Sequence, residues 1–480
     1  MEGSRMTPMD DPHPRQHVRG RSAASFPGTA VRAGTTRRLP LRFVAIALAL
    51  IGLALAGAAA AQATCTTTLD YLTLSEFDSA MQPVIRAFEA QHPGVCVKME
   101  GYSFGDLFQT TQVRMRARDT SIDVLLVDQP VVAAYTSLGY LSPLDGTFTD
   151  QQVAHTWVQP AVDAGKVNGH LMAAPQDSSI QLLYFNRKLF AEAGVAPPTG
   201  LVPGETVSYT DVAALAKQHR WTWEQVTAAA KRLTVRSGGA TRTWGFTFGQ
   251  PDELYQLQPL GLSLGGTLLS PDGTTVDGYL NGPAWRKAAV WYGDLFNGAK
   301  VSPKGVPYPQ TADLFAEGKV ALYAGGAWQL GKFKGSGVDF GIAPYPAFAG
   351  GTVATPTGGW YLGVAAYSKH KDEAAAFIRF LTAEQGAALW FASYGHFPPQ
   401  QSVLDTIRSG KAYTVFPDDA YLLGVYQSRT TAVVRPKTPA YLQLHNIFDS
   451  AFSDIRNGAD PGQALDGAVR QIDPYLKRFQ

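Results

Sequence analysis

The sequence predicts an α/β protein built on parallel strands and large enough for two lobes. Three observations carry this. Strand-like and helix-like periods alternate from residue 67 onward. Asp123–Val127 (DVLLV) is a short apolar run, as expected of a strand covered on both faces. At 480 residues the chain exceeds a single core of about 100–200 residues, so several domains or one large two-lobed fold are expected.

Thr67–Leu74 is β-branched and apolar and reads as the first strand. Met81, Val84, Ile85 and Phe88 fall at i, i+3, i+4 and i+7, one face of a helix that Pro93-Gly94 ends. Val95–Met99 reads as a second strand, Phe104–Met115 as a helix, and DVLLV as the third strand. This repetition implies a parallel sheet with right-handed crossovers. Helical stripes dominate later. One runs from Trp285 through Ala289 and Tyr292 to Phe296, and others centre on Phe377, Phe448 and Val469. Short strands at Val320–Tyr323, Phe340–Ile342 and Leu362–Ala365 interrupt them. The absence of a repeat of about 20–50 residues argues against a solenoid or propeller.

The first 63 residues read as a leader. Arg32, Arg37, Arg38 and Arg42 precede an uncharged apolar run, Phe43 to Ala61, and Ala61-Gln62-Ala63 follows: the basic, apolar, A-x-A layout of a secretory signal peptide. A membrane anchor is the competing reading. The small-residue end leading into a cleavage-type triplet favours cleavage. Threonine before Cys65 departs from a lipidation motif, and Arg37-Arg38 with Pro40 makes a weak twin-arginine signal. Export to the periplasm is expected, with a lipid-anchored surface form second.

Cleavage after Ala63 leaves 417 residues. The whole chain has 41 basic and 39 acidic residues. The leader holds eight arginines and three acids, so the mature chain carries 33 basic against 36 acidic residues. The basic excess belongs to the leader, which leaves no argument for a nucleic-acid partner. Both cysteines, Cys65 and Cys96, remain. In an oxidising compartment they are expected to form a disulfide worth roughly 3–4 kcal/mol.

Catalytic motifs are sparse. There is no G-x-S-x-G, no G-x-x-x-x-G-K-[ST] and no H-E-x-x-H. No two of the nine histidines make a short-range zinc motif, so neither metal nor cofactor is expected. A carboxylate pair for glycoside hydrolysis stays open, because its separation is set in three dimensions. Tryptophan stands out instead. Trp328 follows Gly326-Ala327 and Trp360 follows Gly358-Gly359. Flat apolar rings in glycine-rich strand ends suit the C–H faces of sugars.

Several segments together resemble the extracellular solute-binding proteins of ABC importers, in the carbohydrate group that includes the maltose-binding protein. The resemblance rests on Phe88 to Val95 (FEAQHPGV), Asp123-Val124-Leu125 with Gly139 to Leu144 (GYLSPL), and Leu183 to Phe190 (LYFNRKLF). It continues in Gly194 to Pro198, Trp223-Glu224, Phe315 to Lys319 with Gly326-Ala327-Trp328, Gly358-Gly359-Trp360, and Phe377 to Leu381. These stand in family order across nearly the whole mature chain. One departure is an insertion from Gly200 to about Arg220, expected as a surface loop with a short helix on the second lobe.

The resemblance implies a two-lobed periplasmic-binding-protein fold with a hinge and an interlobe cleft. It places lobe 1 at 64–176 and 344–398, and lobe 2 at 177–343 with C-terminal helices at 399–480. The first hinge falls near Pro175–Ser179. By position it implies ligand contacts from Ser75 and Glu76 after the first strand and Asp128 and Gln129 after the third. It adds Asp177 at the hinge, the pair Glu253 and Tyr255, Trp328, Trp360, and Tyr441 and His445 near the C-terminus. Trp328, Trp360 and Asp128 lead this set.

The expected function is binding without catalysis: a sugar, di- or oligosaccharide, delivered to ABC permease subunits by a monomer. A glycerol phosphodiester or polyamine is the alternative solute, and a secreted glycoside-active enzyme the alternative class. A phosphate ligand would call for Arg or Lys in the cleft.

Overall fold

The computed structural model describes residues 65–479. The leader expected at 1–63 lies outside the described residues. Among those described, no helix is long and apolar enough to cross a membrane.

The chain opens as β1 (Thr67–Leu74), α1 (Asp78–Gln91), β2 (Val95–Tyr102), α2 (Phe104–Arg116) and β3 (Val124–Asp128). Local causes set each element. The apolar stripe of α1 buries Met81, Val84, Ile85 and Phe88. Gly94, at φ +90°, makes the turn into β2, a conformation costly for any other residue. The Ser103 hydroxyl accepts the Asp106 N–H at 3.3 Å and starts α2. All five residues of β3 are buried. Cys65 and Cys96 are joined as a disulfide, Cα atoms 5.6 Å apart, tying the start of β1 to β2. Replacing both by serine is expected to lower stability by about 3 kcal/mol on the chain-entropy model. Urea unfolding checks this: the midpoint should fall.

The other strands of the two main sheets are β4 (Leu141–Ser142), β5 (Ala174–Pro175), β6 (Ser179–Asn186), β7 (Val235–Ser237), β8 (Ala240–Phe248), β9 (Val320–Gly326), β10 (Phe340–Ala343), β11 (Thr355–Gly358), β12 (Trp360–Ala365) and β13 (Ala432–Val433). The first sheet has order β2-β1-β3-β12-β4, with β5 also on β12. The second has order β13-β11-β6-β9-β8-β7, with β10 also on β6. β1 runs parallel to β2 and β3, and β8 parallel to β9. Both sheets are nevertheless mixed, because β12 runs antiparallel to β3 and β6 antiparallel to β9. These two strands enter from the other sheet, which reverses their direction.

The chain passes between sheets at residues 175–179 and again at 358–360. The second passage corrects the boundary expected near 344. Both β10 and β11 pair with β6 in the second sheet, and only β12 joins the first. A third passage lies where Ser178 bridges Phe397 and Trp157 bridges Gln400.

The insertion after Gly200 is docked. Leu201 pairs with Ile342 in both directions, at 2.7 and 2.9 Å. Helix α3 (Tyr209–Gln218), capped by Ser208, buries Val212 and Ala216. Arg220 donates to Gln427 Oε1 at 3.3 Å and to the Tyr345 carbonyl. The segment is thus packed against the second sheet's elements.

Candidate functional site

The ends of both sheets meet around one pocket that is open to solvent. Antiparallel pairing of Trp360 with Asp128 sets these two side by side at the end of the first sheet. Pairing of Gly358 with Ser179 does the same for the second. Two glycines make the close approach possible. A Cβ on Gly359 would collide with the Asp177 carbonyl, and one on Gly358 would come 2.8 Å from the Arg435 guanidinium.

Six expected residues line this pocket together: Glu76, Asp128, Glu253, Tyr255, Trp328 and Trp360. Trp328 sits on a short 3₁₀ turn directly after β9. Its ring lies 6.2 Å from Tyr255 and 5.8 Å from His396. Trp360 is 8% exposed, boxed by Phe77 and Phe104 edge-on and by Phe108 nearly parallel at 6.3 Å. It is thus both core and pocket wall. Glu76 lies on the turn after β1, where desolvation raises its carboxyl above the ordinary range, while His396 and Tyr394 oppose the shift.

Tyr441 and His445 line an adjoining pocket with Phe104, Phe108, Gln109 and Gln112. Asp128 and Phe104 border both. Burial raises the Glu253 carboxyl, with Asp449 and Arg435 opposing. It also holds His445 neutral, pushed down to about 3 by desolvation and by the Arg435 charge.

Three expected residues are not among those lining either pocket. The Ser75 hydroxyl donates to the Tyr102 carbonyl at 3.3 Å. Gln129 is buried, and its N–H donates to Gly359. Asp177 is 1% exposed and works inside the crossing. Its carboxylate accepts the Trp360 backbone N–H and the Trp390 indole N–H, each at 3.0 Å, and lies 3.0 Å from His396 Nδ1. It holds up the pocket wall without forming part of it.

Asp128, which lines the pocket, also has a partner within the chain. Both of its oxygens are bound by Arg435, at 2.6 and 2.5 Å. Arg435 follows β13 in the second sheet, so this bidentate pair ties the two sheets across the cleft. The guanidinium also lies 5.0 Å over the Tyr255 ring and 5.9 Å from Tyr441. Sequence reasoning missed Arg435, as it missed Tyr308, Gln250, His396, Ser179 and Phe104. The available signal was a single arginine ending an apolar stretch, Thr431 to Val434, just before Pro436.

A family model for bacterial extracellular solute-binding proteins matches residues 73–388. A putative binding protein of Brucella abortus is 24% identical over 426 residues, covering 85% of this chain and 93% of its own. The galactooligosaccharide-binding protein of Bacillus subtilis is 23% identical, covering 84% and 88%. Among solved structures, an ABC substrate-binding protein of Listeria monocytogenes in complex with cycloalternan superposes with a TM-score of 0.74. It shares 22% identity over 86% of this chain and 99% of that one. That likeness supports the two-lobed fold. With two thirds of its length matched by the family model, the chain belongs to the bacterial extracellular solute-binding proteins, the substrate-binding components of ABC importers.

Proposed function

We propose that the protein binds a neutral sugar, a di- or oligosaccharide, between its lobes and presents it to an ABC permease without chemically altering it. One observation carries this reading: aromatic faces from both lobes (Trp328, Tyr255, Trp360 and Phe104) stand beside carboxylates and an amide, Glu76, Glu253 and Gln250. Rings take the apolar faces of a sugar and carboxylates its hydroxyls. The only Lys or Arg lining the pocket among the described residues is Arg435. Its two terminal nitrogens are already taken by Asp128, which argues against a phosphodiester. The adjoining pocket, with Phe108, Gln109 and Gln112, gives a longer sugar room beyond the first subsite. The relatives named for galactooligosaccharide and cycloalternan support the same class. The segments at 175–179, 358–360 and 397–400 serve as the hinge, and closure around the solute is the state the permease reads. Cleavage of the leader places the monomer in the periplasm.

A thermal-shift screen of the mature chain tests this. Neutral di- and trisaccharides are expected to raise the melting temperature. At about 100 times its dissociation constant a ligand adds about 2.7 kcal/mol. Trp328→Ala should abolish most of the shift. A shift with glycerophosphodiesters or polyamines alone would replace the sugar, and turnover of the bound sugar would overturn the reading of binding without chemistry.

A further inference from the structure

Between the two pockets, Glu253 stands with His445 and Asp449. One atom from each, two carboxylate oxygens and an imidazole nitrogen, lie within 4.8 Å of one another. His445 and Asp449 are four residues apart on one helix (Tyr441–Asn457) and share a face. Glu253 comes from elsewhere, directly before the helix Leu254–Ser263. Two of the arms are oriented by contacts of their own. Asp449 Oδ1 accepts the Leu254 N–H at 3.0 Å, while Oδ2 lies 3.3 Å from His445 Nε2. The His445 ring stacks on Tyr441 at 5.6 Å with 12° between planes. Its Nε2 is also 3.5 Å from Glu253 Oε2.

These spacings discriminate between occupants. Charge-assisted N–H···O bonds run at about 2.7–2.9 Å, so neither contact is a good hydrogen bond. Three acceptors each about 2.8 Å from an ammonium nitrogen would stand about 4.6 Å apart in tetrahedral geometry. Ligand atoms about 2.0–2.1 Å from a tetrahedral zinc stand about 3.3 Å apart. The two edges from His445, 3.3 and 3.5 Å, are close to the last, and the third, between the two carboxylates, is within 4.8 Å. Charge agrees. Arg435 is held by Asp128, and Arg456 reaches Asp252 at 3.1 Å. Among the described residues Glu253 and Asp449 have no Lys or Arg ion-pair partner, although their side chains are only 28% and 22% exposed.

We propose that Glu253, His445 and Asp449 form a three-ligand site for a divalent ion of the zinc type, bound by mixed nitrogen and oxygen donors with a fourth position open. Glu253 lines the first pocket and His445 the second, so the ion would sit where a solute oxygen could complete its shell. This goes beyond the sugar reading but shares Glu253 with it, so the test is run on sugar-free protein to keep the two apart.

The test uses the mature chain, stripped with EDTA and free of sugar. Zinc chloride is expected to raise the melting temperature and to bind as one ion per chain in titration calorimetry. Cobalt(II) should give the visible absorption of a four-coordinate site. His445→Gln and Asp449→Asn should each weaken zinc binding by at least about tenfold, with metal-free melting curves showing that both variants fold. No zinc binding by the wild type, or binding undiminished in both variants, would overturn the proposal. So would stabilisation by spermidine in place of zinc. The cobalt spectrum of the wild type decides the point even if a variant fails to fold.

Discussion

Asp128→Asn is expected to cost about 3–5 kcal/mol of stability with the cleft closed, because it strands a buried guanidinium. The Asp128 and Arg435 side chains are 9% and 7% exposed and joined by two hydrogen bonds. Arg435 Nε has no hydrogen-bond partner among the described residues, and beyond Asp128 the guanidinium donates only to the Tyr441 hydroxyl, at 3.3 Å. The variant can relieve the cost by opening the cleft and hydrating Arg435. The net loss in urea unfolding should therefore be smaller, and small-angle scattering should report a larger radius of gyration for the ligand-free protein. Replacing both residues by apolar ones of similar size, Asp128→Leu with Arg435→Met, should be milder than either single change, since no charge is then left unpaired. Additive single and double effects would show that the pair is not energetically coupled.

Asp177→Ala should be comparably damaging, by about 3 kcal/mol or more, since buried donors lose their acceptor at about 1–3 kcal/mol each. The carboxylate serves the Trp360 N–H and the Trp390 indole and lies beside His396. Asp177→Asn keeps one acceptor oxygen but turns the other into a donor facing N–H groups, so it should lie between wild type and alanine. Because Asp177 fixes the start of β12, both variants should also weaken solute binding through Trp360. Denaturant midpoints give the first effect and calorimetric affinities the second. An alanine variant with wild-type stability and affinity would remove Asp177 from the hinge account.

How far the sequence could be read depended on how local each signal was. β1, β2 and β3 announce themselves through their apolar, β-branched runs, and α1 through a stripe at helical spacing. β11 carries no such mark. Its Thr-Pro-Thr-Gly is a strand only because β6 and β13 lie on either side of it, and the passage between sheets was therefore placed too early. Trp328 and Trp360 stood out because glycines precede them, and the structure explains those glycines by close approach. Asp177 lies in the crossing at 175–179 and turns inward, since the N–H groups it satisfies come from residues 360 and 390. Arg435 was invisible for the same reason: its partner Asp128 lies 307 positions away, and nothing local distinguishes it from a surface arginine.

The central claim is that a neutral sugar binds between the aromatic faces of the two lobes. Titration calorimetry of the mature wild type and of Trp328→Ala, each against neutral mono-, di- and trisaccharides, tests it most directly. The account predicts saturable one-to-one binding of at least one di- or trisaccharide by the wild type, weakened at least about tenfold in the variant, as loss of one stacking face of about 1.4 kcal/mol would produce. Absence of binding across the panel, or equal affinity in both proteins, would contradict it.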